Sequence, residues 1–472
     1  MATRSALVLA IDIGTSSVRS GLFNEKAQLI AGSKASQAYR VHHSLDQAAE
    51  LDPAVLLRAS RKCLRLTKSC LTKRQVPVVA GSGFWHSLLG LDRNGNPLTP
   101  IYTWADARSA PDAARLRDRC DERAIQQRTG CMLRASFWPA KLAWLRRTQP
   151  RLLRRVARWA SPAEWVFEKI FGFQGCSHSM ASATGLYHLA RRDWDEELLD
   201  FVGLRRGQVG SLGDKAEVKG KTFFPAIGDG AAGNLGSGAT RPGLVAINLG
   251  TSAAIRALTP EEVVLPFGLF RFLIDQRRSL IGGAVSNAGN LRAWALRELR
   301  LPNDADMLEK LLRRAGPGAA RLTVLPLWLA ERAPTWPEGL EGVIAGLTQV
   351  TTAADLLAAL VASSFHRLAD VLHELEQTAG RAKKLVVSGG ILQSPASLQL
   401  LADSLGRSLV ICQEQEASLR GAAVHAIEQL GGKVAPAKIR RQIHHRPART
   451  AELREQAARQ RELERTLARL IR

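Results

Sequence analysis

Two stretches 236 residues apart constrain this chain more than anything else in it: Leu7-Val8-Leu9-Ala10-Ile11-Asp12-Ile13-Gly14-Thr15-Ser16-Ser17 and Leu244-Val245-Ala246-Ile247-Asn248-Leu249-Gly250-Thr251-Ser252-Ala253-Ala254. Each is an apolar, extended-preferring run with one polar residue that breaks into a glycine and hydroxyl side chains, the pattern of a buried strand ending in a polar turn. Ala10, Ile11, Gly14, Thr15 and Ser16 recur identically as Ala246, Ile247, Gly250, Thr251 and Ser252. Asp12 in a buried strand is desolvated at real cost unless it stands at the strand's end to meet a cation or a phosphate. Gly14 lets the backbone approach an anion, and Thr15, Ser16 and Ser17 donate to its oxygens without needing a charge. Asn248 replaces Asp12 in the copy, so only the first half brings a charge. The repetition predicts two related domains facing one another with a phosphate chain held between them.

The length of 472 residues admits two large domains or three ordinary ones. A formal charge of +23 raises the question of nucleic acid. Much of the excess is arginine spread over helix-like segments, such as Arg146, Arg147, Arg151, Arg154, Arg155 and Arg158, so a basic surface or a polyanionic small substrate explains it as well. From Lys433 to Arg472 there are twelve Lys or Arg against four Glu, with an incomplete apolar stripe of Leu453, Ala457, Leu463, Leu467 and Leu470. That tail reads as an amphipathic helix against the body, a contact for a partner or RNA, or a solvated end. Homo-oligomerisation is equally open. Cys63, Cys70, Cys120, Cys131, Cys176 and Cys412 form no CxxC pair, which points to reduced thiols and a cytoplasmic protein. No apolar run is long enough to span a membrane, and the first residues lead into Asp12 and Gly14 without a cleavage site, so they are read as mature fold.

Along the chain, residues 18–23 and 27–33 flank Asn24-Glu25-Lys26 as an expected hairpin, so the first sheet begins antiparallel. Asp52-Pro53 opens a helix through about residue 72, a strand follows at 76–81, and 110–129 reads as one helical region. If the polar, aromatic segment 103–109 is extended, Trp104, Asp106 and Arg108 share one face. A strand at 223–227 leads into Gly228-Asp229-Gly230, where glycine on both sides indicates a carboxylate presented at a tight place. Residues 353–375 have the spacing of a long core helix, and a strand at 384–387 feeds Ser388-Gly389-Gly390-Ile391-Leu392-Gln393. No Walker lysine motif occurs, which excludes a P-loop kinase.

These segments in this order resemble the FGGY carbohydrate kinases. The resemblance rests on Asp12-Ile13-Gly14-Thr15, Trp85-His86-Ser87, Trp104-Ala105-Asp106-Ala107-Arg108, Met180-Ala181-Ser182-Ala183-Thr184-Gly185-Leu186, Gly228-Asp229-Gly230, Asn248-Leu249-Gly250-Thr251-Ser252, Gly282-Gly283 and Ser388-Gly389-Gly390, and covers residues 5 to about 430. It implies an α/β fold of two ribonuclease H-like (actin-like ATPase) domains with a ligand cleft between them. The expected division is a sugar-binding N-terminal FGGY domain at 1–241, a nucleotide-binding C-terminal one at 242–432, and a basic extension at 433–472. Two departures accompany it. Ser177 stands where relatives often carry an aspartate, and the tail extends past the Gly421-Ala422-Ala423 helix, after which relatives are expected to end.

A sugar hydroxyl has a pKa far above 7, so its transfer to phosphate needs a base, and the resemblance places that base at Asp229. It implies ATP as phosphoryl donor, held by Gly14, Thr15 and Ser16 from one side and Gly250, Thr251 and Ser252 from the other. Gly389, Gly390 and Gln393 look like the adenine and ribose loop, and Asp12 would hold Mg²⁺ directly or through water. His86, Trp104, Asp106 and Arg108, with Asp229, are the candidates for the sugar. Within the family the chain is most similar to members that phosphorylate gluconate, which implies conversion of D-gluconate to 6-phospho-D-gluconate. A pentulose or other polyol kinase, and an actin-like ATPase or sensor without sugar kinase activity, are the alternatives.

Overall fold

The computed structural model describes residues 7–72, 75–259, 263–314 and 317–471. The first strand, β1 (Val8–Ile13), is buried along its whole length. Gly14 ends it by donating its N–H to Ser17 O at 3.0 Å, which turns the chain into β2 (Ser17–Phe23), antiparallel to β1 with Asp12 opposite Arg19. The expected third strand at 27–33 gives way to a loop, with only Leu29 bridging to Phe23, and β3 (Ala35–Ala38) takes its place. The reason is local: Asn24 Oδ1 accepts from the amides of Lys26 and Gln28, both at 3.0 Å, and Ser33 Oγ takes the Leu22 amide at 3.1 Å, so side chains occupy groups a ladder would use. Asp52 caps α1 (Pro53–Lys68), its Oδ1 accepting from Ala54 N at 2.7 Å, and Pro53 occupies the first turn where no N–H is needed. Next come β4 (Val78–Gly83), β5 (Ala216–Val218) and β6 (Lys221–Gly228), giving a sheet of order β3-β2-β1-β4-β6-β5.

Helix α2 (Asp229–Gly236) leads to a second sheet made of β7 (Leu244–Leu249), β8 (Ala253–Thr259), β9 (Phe270–Leu273) and β10 (Ser279–Val285), followed, after the long helix α3 (Ala353–Ala379), by β11 (Lys384–Ser388). Then come α4 (Pro395–Leu405), β12 (Leu409–Cys412), α5 (Ala417–Gln429), β13 (Ile439–Ile443) and α6 (Pro447–Ile471). The order is β9-β10-β8-β7-β11-β12-β13. Without β9 it repeats the first sheet strand for strand. An antiparallel hairpin is extended by a third antiparallel strand on one side, by two parallel strands on the other, and by an antiparallel edge strand. Asp12 lies beside Ser82 of β4 as Asn248 lies beside Ser388 of β11. The duplicated strand-turn is therefore the visible part of a duplicated sheet.

Several expectations change. The region 110–129 is two helices, Ala110–Arg117 and Glu122–Thr129, because Asp121 accepts from the amides of Arg123 and Ala124 and starts the second afresh. Ser177, the departure from the family pattern, keeps a capping role: its Oγ accepts from Met180 N at 3.0 Å and donates to Ala226 O at 2.6 Å. The segment 433–472 is not a separate extension. β13 is the second sheet's counterpart of β5, and α6 lies on α3 and α4, burying Thr450, Leu453, Gln456, Ala457, Gln460 and Glu464.

Helix α5 lies within the residues expected for the second domain, yet it packs on β1, β4 and α2 of the first lobe. Leu419, Ala422, Ala423, Val424, Ala426 and Ile427 belong to that lobe's core. The approach is backbone to backbone: a Cβ on Gly421 would lie 1.8 Å from Ala232 O, and one on Gly236 1.7 Å from Ala417 O. Neither carbonyl can move without breaking its helix, so Gly421→Ala is expected to destabilise the protein by about 3 kcal/mol or more. Denaturant unfolding checks this; an unchanged midpoint would contradict the close α2/α5 packing.

Candidate active site

The turns after β1 and β7 open on one cleft. Gly14 and Thr15 are half-buried, Ser16 and Thr251 exposed, and Gly250 and Ser252 half-buried. The second turn is closed by Gly250 N to Ser252 O at 2.9 Å. It is backed by the start of the helix Gly289–Glu298, whose first two amides donate to Gly250 O and Thr251 O at 3.1 Å. Gly389 has φ +97°, and a Cβ there would lie 2.5 Å from Leu249 O, so only glycine fits between the second turn and β11. Gly389, Gly390 and Gln393 are exposed beside that turn, accessible to a nucleotide.

Asp12 closes the first turn from below. It is 3% exposed; Ser82 Oγ donates to its Oδ1 at 2.8 Å and Arg19 Nη1 lies 3.4 Å from its Oδ2. Burial, aided by the charges of Asp229 and Glu416 and opposed by Arg19 and the Ser82 hydroxyl, pushes its pKa up to about 6. A buried carboxylate with so little compensation suits a cation. Among the described residues no group of three or more His, Cys, Asp or Glu could hold a metal by protein ligands alone. A single carboxylate next to a glycine-hydroxyl turn matches Mg²⁺, which keeps waters and takes phosphate oxygens. The residues fit the ion, and Asp12 is the one that would hold it.

Asp229 is the first residue of α2, not part of a loop. Its Oδ1 accepts from Gly230 N at 2.7 Å, and the helix start favours its negative form. Burial nevertheless raises its pKa, against the lowering influence of Arg256, that hydrogen bond and Arg332. The flanking glycines answer to tertiary packing. A Cβ on Gly228 would lie 1.7 Å from the Trp85 ring, and one on Gly230 2.4 Å from Trp85 and 2.6 Å from Arg256 Nε. Trp85, held by its Nε1 donating to Ser179 O at 3.2 Å, is thus the wall against which the carboxylate is set.

Sequence reasoning missed two arginines from the second lobe whose charges act on this carboxylate. Arg256, on β8, has a buried Nε with no hydrogen-bond partner, and burial lowers its pKa while Asp229 raises it. A lone charge in the apolar strand Ala253–Thr259 was the available signal, the same one that marked Asp12. Arg332 follows the buried Glu331, donates from Nε to Ser286 Oγ at 3.0 Å and stacks over Trp104 of the first lobe at 4.7 Å. Burial holds its pKa down to about 10. Its loop carried no periodic signal at all.

His86 adopts φ +65°, and its Nδ1 bonds Ala183 O at 2.6 Å. Burial, reinforced by Arg332, Lys141 and Arg256 and opposed by that bond, brings its pKa to about 3, so the ring is neutral and its Nε2 is left as an acceptor. The expected extended face of Trp104, Asp106 and Arg108 is not formed: residues 103–109 are turns, with Asp106 N bonded to Thr103 O at 3.1 Å. Trp104 points toward the cleft, its Nε1 donating to Thr15 Oγ1 at 3.1 Å. Asp106 and Arg108 satisfy one another instead. Arg108 Nε and Nη2 donate to the two Asp106 oxygens at 3.1 and 2.5 Å, Nη2 also reaches Glu50, and the guanidinium stacks on Trp144. Asp106 further accepts the Ala49 amide at 3.1 Å and is 2% exposed. This pair anchors the loop that carries Trp104, with both Asp106 oxygens and Arg108 Nε and Nη2 engaged by the protein.

Two lobes of duplicated topology, each presenting a glycine-hydroxyl turn to a cleft that holds a buried carboxylate, define a kinase of the two-domain actin-like ATPase fold. The chain belongs to the FGGY family of carbohydrate kinases: the family's N-terminal domain matches residues 7–227 and its C-terminal domain residues 245–429. Among curated relatives it is 27% identical over 455 residues to the gluconokinase of Bacillus subtilis (strain 168), covering 90% of this chain and 88% of that one. It is 31% identical over 383 residues to a xylulose kinase of Streptomyces coelicolor, covering 78% and 77%. The crystal structure of a gluconate kinase from Lactobacillus acidophilus, 23% identical, superposes with a TM-score of 0.89 over 98% of this chain and 99% of that one. That coverage takes in most of the C-terminal strand and helix, so this neighbour does not end after the Gly421 helix, although the family's C-terminal domain match does.

Proposed function

We propose that this carbohydrate kinase phosphorylates a sugar acid, D-gluconate to 6-phospho-D-gluconate, with ATP and Mg²⁺. The observation that carries the choice is the positive charge gathered at the sugar side of the cleft. Arg256 and Arg332 both act on His86 and on Asp229, yet neither makes an ion pair with Asp229 within 4.0 Å. A neutral polyol gains little from such a field; a carboxylate gains a charge-assisted hydrogen bond. Arg332 is the natural partner, since its Nη1 has no protein acceptor among the described residues and Trp104 fixes the plane of the guanidinium. The gluconokinase relative supports the same reading.

In this mechanism Asp229 accepts the proton of the hydroxyl as its oxygen attacks the γ-phosphorus, and the bond to the β-phosphate oxygen breaks to release ADP. The Thr15 and Thr251 turns hold the phosphates from either lobe, and Asp12 would hold the Mg²⁺, which when bound neutralises charge on the phosphate oxygens. His86 Nε2 accepts from a second substrate hydroxyl. Trp85 and Trp104 keep water from the transferable phosphoryl group.

Arg332→Met tests the specificity. It is expected to raise the KM for gluconate by roughly 10- to 100-fold, the worth of one charge-assisted hydrogen bond, with the KM for ATP little changed. A coupled ADP-release assay over gluconate, xylulose, ribulose and glycerol reads it. Turnover of a ketopentose with gluconate inert would establish the polyol alternative, to which the xylulose kinase relative points. Family membership leaves no support for the actin-like sensor without a sugar substrate.

A further inference from the structure

The C-terminal helix, which the mechanism leaves without a role, reaches the sugar side of the cleft through a chain of ionic and hydrogen-bonded groups. Glu464 of α6, 8% exposed, accepts from Arg367 Nη1 at 2.6 Å and from Thr335 Oγ1 at 2.5 Å. Arg367, on α3 and 2% exposed, donates from Nη2 to Thr335 Oγ1 at 2.9 Å and to Ala333 O at 3.3 Å. Its Nε lies 4.0 Å from Glu331 Oε2 and makes no hydrogen bond. Glu331 is already engaged: its carboxylate accepts the amides of Ser286, Asn287 and Arg332 and the side-chain amide of Asn287. Arg332 sits between Glu331 and Ala333, two points of attachment of this chain.

We propose that Glu464 is a positioning residue for the kinase reaction: through Arg367 and Thr335 it fixes the 331–335 loop and with it the Arg332 guanidinium over Trp104. The inference rests on Arg332 being the sugar-acid contact. The physical reason is charge balance. A guanidinium buried as deeply as Arg367 needs a full negative charge, and Glu464 supplies it at hydrogen-bond distance. With Glu464 neutralised, the nearest remaining carboxylate is Glu331. Its capture by Arg367 would draw it off the Ser286 and Asn287 amides and carry Arg332 away from the cleft.

The experiment uses the full chain with Glu464→Gln, which keeps shape and one acceptor oxygen, with Glu464→Asp as the charge-conserving rescue. Leu453→Ala, in the buried face of the same helix but outside the ionic chain, is the control for lost stability. Glu464→Gln is expected to raise the KM for gluconate roughly tenfold, with the KM for ATP within about twofold of the parent. Hydrogen exchange of residues 329–337 should quicken, Glu464→Asp should restore much of both, and Leu453→Ala should lower the melting temperature without the KM split. Unchanged exchange in 329–337 in Glu464→Gln, or an equal KM rise in Leu453→Ala, overturns the brace. If exchange quickens in Glu464→Gln while Arg332→Met leaves the gluconate KM unaltered, the brace stands as a loop anchor, and the assignment of Arg332 and the positioning role both fall.

Discussion

Replacing Asp229 by asparagine lowers the rate of sugar phosphorylation by roughly 10²- to 10⁴-fold, the range expected for loss of a general base. Asparagine matches the carboxylate in shape and still accepts from Gly230 N, so the fold and nucleotide binding should persist; thermal unfolding and ADP titration check this. The parent's pH profile carries the sharper test. Burial raises the Asp229 pKa, so the acidic limb of kcat/KM should fall at a pH above that of an ordinary carboxylate, because the base is lost as it takes up its proton. Asp12, with a pKa of about 6, contributes to the same limb. An Asp229→Asn variant that turns over gluconate at the parental rate would remove the base from this mechanism.

Asp12→Asn should stabilise the ligand-free protein while sharply lowering its activity. Folding raises the Asp12 pKa from 3.8 to about 6, so the protonated form is the one the fold prefers. For a carboxyl raised in this way, the stabilising contribution is complete below about pH 3.8 and is lost as pH climbs through about 6. Above that, keeping the group ionised costs up to about 3 kcal/mol, at 1.36 kcal/mol per pKa unit. Asparagine never carries that cost, so the variant should unfold at higher temperature than the parent at pH 8 and at nearly the same temperature at pH 4. Phosphoryl transfer should fall by roughly 10²-fold or more, since the carboxylate proposed to hold the cation beside the phosphates is gone. The gain in melting temperature that ATP with Mg²⁺ confers on the parent should shrink in the variant. Equal melting temperatures at pH 8 would show that Asp12 is compensated without a cation.

Both residues were legible in the sequence because each breaks a local pattern: Asp12 is a charge in an apolar strand, and Asp229 stands between two glycines. The same signal at Arg256 was overlooked. The helix start at Asp52 and the long α3 were equally readable, since caps and apolar spacing are local. The failures share another origin. Residues 103–109 alternate as a strand would, yet Asp106 finds Ala49 and Arg108 finds Glu50 and Trp144, and those distant partners fold the segment into turns. The glycines beside Asp229 stand out in the sequence, and the packing of Trp85 and Arg256 is what requires them.

By itself the sequence determined two sheets of one design and the glycine-hydroxyl turns at their cleft, because strand periodicity and turn chemistry are written in neighbouring residues. Only the tertiary structure decided which side chains meet at the cleft: the two arginines facing Asp229, the return of α5 to the first lobe, and the link from Glu464 to the 331–335 loop. Those contacts join residues as far apart as Asp229 and Arg332, or Thr335 and Glu464. No local period marks such pairs, and burial and charge compensation select them only once the chain is packed.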